Sequence, residues 1–150
     1  MWLDALLAYL HFSAVFVLFA FLTVEAVLAR NELDSRAIGL LCRVDLWYVG
    51  AAAVALATGI SRAIWGAKGW AFYAGDPIFW AKLGTFGAVV ALSVPPALAF
   101  ARWARKATAE AAYRVPESER KAMRRYLMWE LHLAALIPLL AVAMARGLGR

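Results

Sequence analysis

The chain has 150 residues, 65% of them hydrophobic and only 17% charged, with a formal net charge of +6. Soluble domains carry about 45–50% apolar and about 25% charged residues, so the composition excludes a soluble enzyme, a disordered chain and a nucleic-acid module. The single cysteine, Cys42, excludes an internal disulfide, and two histidines, His11 and His132, are too few for a His-rich metal cage.

Residues 5–24 form an apolar run whose only ionisable side chains are Tyr9 and His11. At 1.5 Å per residue it crosses a hydrocarbon core of about 30 Å. The opening Met1-Trp2-Leu3-Asp4 lacks the basic stretch of a signal peptide, so the run reads as a first span over about 4–29. A second span is expected over 44–63, around the apolar run 46–61 flanked by Asp45 and Arg62. A third follows the helix breaker Pro77 and runs over 77–102. A fourth covers 125–146 and contains Glu130 and His132. The pattern predicts an all-α polytopic membrane protein, a single domain of four transmembrane helices. Pro95-Pro96 is expected to kink span three. The basic loop 103–124 is expected to be helical on either side of Pro116.

Lys and Arg fix the orientation. Eleven lie in the loops joining spans one to two and three to four, against five on the other side. The loop after span three, with eight basic residues and three Glu, carries +5. Basic loops stay in the cytoplasm, which places both termini outside a bacterial inner membrane. The seven tryptophans all fall near span ends, at headgroup level. Ala51, Ala55 and Gly59, and again Gly84 and Ala88, recur at spacings of four, the pattern that allows close helix approach.

Ionisable groups inside a bilayer are costly and mark candidate sites. Asp4, His11, Leu18 and Glu25 are spaced by seven and share one face of span one, expected to face the interior. His11 then lies roughly 10 Å below the outer boundary, and Lys82 roughly 8 Å below it. With Arg62 they form an outer-third cluster. A neutral imidazole is a common haem ligand, and Lys or Arg can pair with propionates. Snorkelling to headgroups is the alternative for both cations. The two histidines are not a pair: they differ in depth by about 14 Å. Glu130 and His132, two residues apart, point about 200° from each other, so Glu130 is expected inward and His132 outward, at an oligomer contact or near headgroups. An inner-third cluster of Glu25, Asp45 and Glu130, flanked by Arg43 and Arg125, reads as a clamp of ion pairs setting helix register; a proton or cation site is the other reading.

Several stretches carry a resemblance. Gly66-Ala67-Lys68-Gly69-Trp70-Ala71-Phe72-Tyr73, then Pro77-Ile78-Phe79-Trp80-Ala81-Lys82, Ser93-Val94-Pro95-Pro96 and Met144-Ala145-Arg146-Gly147 resemble the signature of an uncharacterised bacterial four-helix membrane family. Glu25, Asp45, Gly59, Arg62 and Glu130 fit the same pattern. More distantly, a His in span one, Trp80-Ala81-Lys82 opening span three, and a span-four Glu are similar to HemJ-type protoporphyrinogen oxidases and to copper-resistance D membrane proteins. That resemblance implies haem b, with His11 and Lys82 as the important pair and Glu130 matching the span-four Glu. Ala8, Trp129 and His132 stand where the HemJ type has Lys, Asn and Pro, so the likeness does not extend to protoporphyrinogen oxidation.

Three expectations follow. The first is a haem-b protein with a redox role and an unknown redox partner, with His11 as axial ligand, Lys82 as second ligand or propionate partner, and Arg62 as propionate partner. The second is a non-enzymatic bundle assembling with itself, as a homo-oligomer, or with another membrane protein. The third is a small proton-coupled exporter, disfavoured by the absence of a midplane carboxylate.

Overall fold

The structure, a computed structural model, describes residues 2–148. Its helices are α1 (Trp2–Leu28), α2 (Ser35–Trp65), the short α3 (Trp70–Ala74), α4 (Pro77–Ala109), α5 (Glu117–Ala134) and α6 (Leu136–Ala145), with no strand among the described residues. Four units are long and apolar enough to cross a membrane: α1, α2, α4, and α5 continued by α6.

The helices outrun the apolar runs because their ends are capped in polar surroundings. Asp34 caps α2 by accepting the Ala37 N–H at 2.8 Å, ten residues before the expected start of the span. Asp76 caps α4 through the Ile78 N–H at 2.9 Å, and Pro77 takes the first helical position, where its missing N–H costs nothing. At its other end α4 continues to Ala109, through Pro95 and Pro96, into the basic loop. The loop is therefore largely an extension of its flanking helices, leaving only 110–116 outside them.

The fourth crossing is divided at Ala135. Pro138 accounts for the break: it supplies no N–H to the Ala134 carbonyl, and its ring crowds that carbonyl.

The four crossings form a ring in which α1 packs on α2, α2 on α4, α4 on α5 and α6, and α5 on α1. The α1–α2 seam is the most extensive. Ala51 and Ala55 are buried in it, facing the α1 stripe of Ala14, Leu18 and Leu22, as small residues at this spacing allow. Gly84 and Ala88 instead face outward, so that second small pair makes no seam within the chain.

The ring closes at one end only. At the end carrying the α4–α5 loop, α5 reaches α1. At the end carrying both termini and α3, no Cα of α6 comes within 8 Å of α1 or α2. The ring is open there between α1 and α6.

The closed end is locked by the loops. Glu119 accepts the Trp103 indole N–H at 2.8 Å and pairs with Arg102 at 2.9 Å. Arg120 donates to the Arg30 carbonyl at 2.6 Å. Trp103 is completely buried beside Phe100, and so is not the headgroup anchor expected of it; Pro96, Ala99, Phe100 and Trp103 form one inward stripe. The other tryptophans are exposed.

Glu119, in the charged first turn of α5, is held below the usual carboxylate range, first by the Trp103 hydrogen bond and then by Arg102. A carboxyl lowered on folding contributes stability above its unfolded pKa of about 4.3 and loses it as pH falls through the depressed value. The melting temperature in detergent should therefore fall between pH 5 and pH 3, and Glu119→Gln should flatten part of that fall. Equal pH dependence in both proteins would show the contact to be idle.

Candidate functional site

The open end of the ring holds a polar cleft. On α1, His11 lies about two and a half turns below Trp2, on the face shared with Leu18 and Glu25, both buried. Asp4, highest on that face, accepts the Ala67 N–H at 3.3 Å and ties the α2–α3 turn to α1. The whole Asp4–Glu25 stripe thus faces inward.

The His11 ring lies flat against α2 because residue 59 has no side chain. A Cβ there would stand 3.0 Å from Cε1 and 3.3 Å from Nδ1 of His11. Nδ1 lies 2.9 Å from the Ala55 carbonyl oxygen and 3.3 Å from Thr58 Oγ1. A carbonyl only accepts, so Nδ1 carries the hydrogen and donates it. In the neutral ring, Nε2 is left with the free lone pair. A backbone carbonyl holding Nδ1–H is the usual way a ligating histidine is oriented.

Two adjoining cavities meet at this ring, of about 70 and about 190 Å³. Both are lined by His11, Gly59, Phe79 and Lys82, and the larger one also by Arg62 and Lys68. His11, Lys82 and Arg62 are thus brought together by α1, α4 and α2. Arg62 lies over the Phe12 ring at 5.4 Å, and its Nε is buried without a hydrogen-bond partner. Lys68 sits 4.3 Å from the Phe72 ring centre. No group of three or more His, Cys, Asp or Glu able to hold a metal ion occurs among the described residues.

These donors suit haem b: one nitrogen ligand aimed by the backbone, cations for carboxylates, and an aromatic and aliphatic lining. Sites that enclose a ligand of that class run to roughly 300–1,000 Å³, more than these cavities offer. The gap between α1 and α6 leaves the cleft open on that side.

The second sequence cluster lies near the closed end. Glu25 on α1 and Glu130 on α5 are buried, and Asp45 on α2 is half-buried. Tyr48 on α2 donates its hydroxyl to Glu130 Oε1. The expected clamp of ion pairs is absent: neither Arg43 nor Arg125 pairs with these acids among the described residues. Helix geometry gives the reason. Arg43 is about 200° around α2 from Asp45, and Arg125 about 140° around α5 from Glu130. Both Arg side chains are exposed, and Arg43 reaches only the Gly39 carbonyl, at 3.4 Å. Glu25 Oε1 and Glu130 Oε2 have no hydrogen-bond partner. His132 is exposed on the face of α5 opposite Glu130.

Sequence reasoning passed over Tyr48, although it stands three residues before Ala51 and seven before Ala55, on the same buried stripe. The backbone carbonyl of Ala55 left no sequence signal at all.

Four apolar crossings, closed at one end and carrying a cationic, histidine-bearing cleft at the other, define a polytopic membrane protein. The chain belongs to the family described as predicted membrane protein (DUF2214), which matches residues 3–149. No curated protein and no solved structure matches it.

Gly59→Ala tests the seat of the imidazole. The added methyl should push His11 off the Ala55 carbonyl and cost about 1–3 kcal/mol through overpacking. The ring nitrogen shifts of ¹⁵N-histidine-labelled protein should move with it; unchanged shifts and stability would show that the ring is not seated there.

Proposed function

We propose that this membrane protein binds haem b in the cleft at the open end of its bundle, with a redox role. The observation that carries the reading is the His11 ring, fixed through Nδ1 on the Ala55 carbonyl, lining one cavity with Lys82 and Arg62. His11 would supply a nitrogen ligand through Nε2. Arg62, buried at Nε without a partner, and Lys82 would meet the propionates, with Lys82 as the candidate second ligand. Bound haem would supply one-electron transfer at the iron. Gly59 keeps the ring face free of a side chain, and Ala55 fixes its tautomer. The basic residues concentrated at the closed end favour a cytoplasmic position for that end, which opens the cleft toward the outer leaflet of a bacterial inner membrane.

The second reading, a non-enzymatic bundle assembling with copies of itself or another membrane protein, is favoured by the outward-facing Gly84 and Ala88.

Protein purified after haem supplementation should show a Soret band. His11→Ala should lose most of its haem while keeping its helical circular dichroism. Lys82→Ala should weaken haem retention by roughly 10–100-fold, as losses around a metal ligand do. A wild-type protein without a Soret band would overturn the proposal, and full haem content in His11→Ala would overturn the ligand assignment.

A further inference from the structure

A second surface, on the outer side of α5 and remote from the cleft, has its own chemistry. Lys121, Arg124, Arg125, Met128, Trp129 and His132 line one groove of about 620 Å³. Their spacing of three and four residues places them on one continuous stripe of the helix. Along the axis the stripe changes character in order. The three cations come first, then Met128 and the exposed Trp129, then His132, and beyond it the exposed Leu136 and Leu139 of α6.

The two arginines have no anionic partner among the described residues. Of the acids near them, Glu117 is held by Lys121 at 2.7 Å, Glu119 by Arg102 and Trp103, and Glu130 lies buried on the opposite face with Tyr48. The His132 Nδ1–H is spent on the Met128 carbonyl at 2.6 Å. The groove therefore presents two uncommitted guanidinium groups to anything at its basic end. Trp129, one turn further along, is exposed, as an indole anchoring at a headgroup boundary would be.

We propose that this stripe is a binding site for an anionic phospholipid of the leaflet at the closed end of the bundle. Its phosphate is taken by Arg124 and Arg125, its glycerol region lies against Met128 and Trp129, and its acyl chains run along Leu136 and Leu139. Guanidinium matches a phosphate in a bidentate manner, and the order of cation, aromatic and aliphatic groups along the helix is the order of groups in the lipid. The positive-inside tendency explains basic residues on this side of the membrane in general. It does not explain two unpaired arginines placed one turn before an exposed tryptophan on one groove.

The test compares lipid retention by native mass spectrometry, with detergent-purified protein titrated with phosphatidylglycerol, phosphatidylcholine or inorganic phosphate. The double variant Arg124→Gln/Arg125→Gln should lose phosphatidylglycerol retention on the order of tenfold or more, from two cations at the membrane surface. Arg105→Gln, an exposed cation elsewhere at the same end, should leave retention unchanged. Phosphatidylcholine should bind weakly to all three proteins, and inorganic phosphate should not compete. Retention that is equal in wild type and double variant, or lost equally in Arg105→Gln, would overturn the proposal. Competition by inorganic phosphate would overturn the lipid as the occupant. Because no arm involves haem, these results are independent of the cleft.

Discussion

Close contact between α1 and α2 is the constraint around which the other helices are arranged. Ala51 and Ala55 bring the two backbones together, and Gly59 extends the same small-residue row to the open end. In a bilayer no hydrophobic gain separates helix–helix from helix–lipid contact, so van der Waals fit of this kind carries the association. The seam also fixes chemistry. At Ala55 a side chain too small to keep α1 away exposes its own carbonyl to His11, and at Gly59 the missing side chain makes room for the ring. The feature that packs the helices is the one that orients the imidazole.

The ring of helices has two diagonals, and polar groups occupy both. Near the closed end, α2 and α5 make no close backbone approach, yet Tyr48 reaches across to Glu130. At the open end, α1 and α4 also stand apart, and His11 and Lys82 face the same cavity. One diagonal is bridged and the other is not. The difference follows from the fourth crossing: α5 is drawn in by the α4–α5 loop contacts, whereas the break at Ala135 lets α6 follow α4 away from α1. An unbridged polar diagonal is where a bundle can admit a ligand, and polar groups facing one another across a gap in lipid are costly unless something satisfies them.

The crossings were legible because apolar runs of this length have few alternatives. The inward face of α1 was legible from the spacing of Asp4, His11, Leu18 and Glu25, and the opposed directions of Glu130 and His132 from their offset of two. What was not legible depended on partners. A tryptophan at a span end reads the same whether it meets headgroups or a core; Trp103 meets the core because Phe100 and Ala99 share its face. No clamp forms at Glu25, Asp45 and Glu130 because nearness in sequence is not nearness in space: helix rotation turns Arg43 and Arg125 away. The division at Ala135 did have a signal, in Pro138. The open side of the ring had none, since it is set by contacts among helices distant in sequence.

The central assignment is that His11 is the group that faces a bound cofactor. With only two histidines in the chain, His132→Gln leaves His11 as the single source of imidazole nitrogen. Electron–nuclear hyperfine spectroscopy on that variant, grown on ¹⁵N-histidine and supplemented with haem, reads the ligand directly. That assignment requires a strongly coupled ¹⁵N at the iron, unchanged from the protein that keeps both histidines. Haem bound without that coupling, or no haem bound at all, would contradict it.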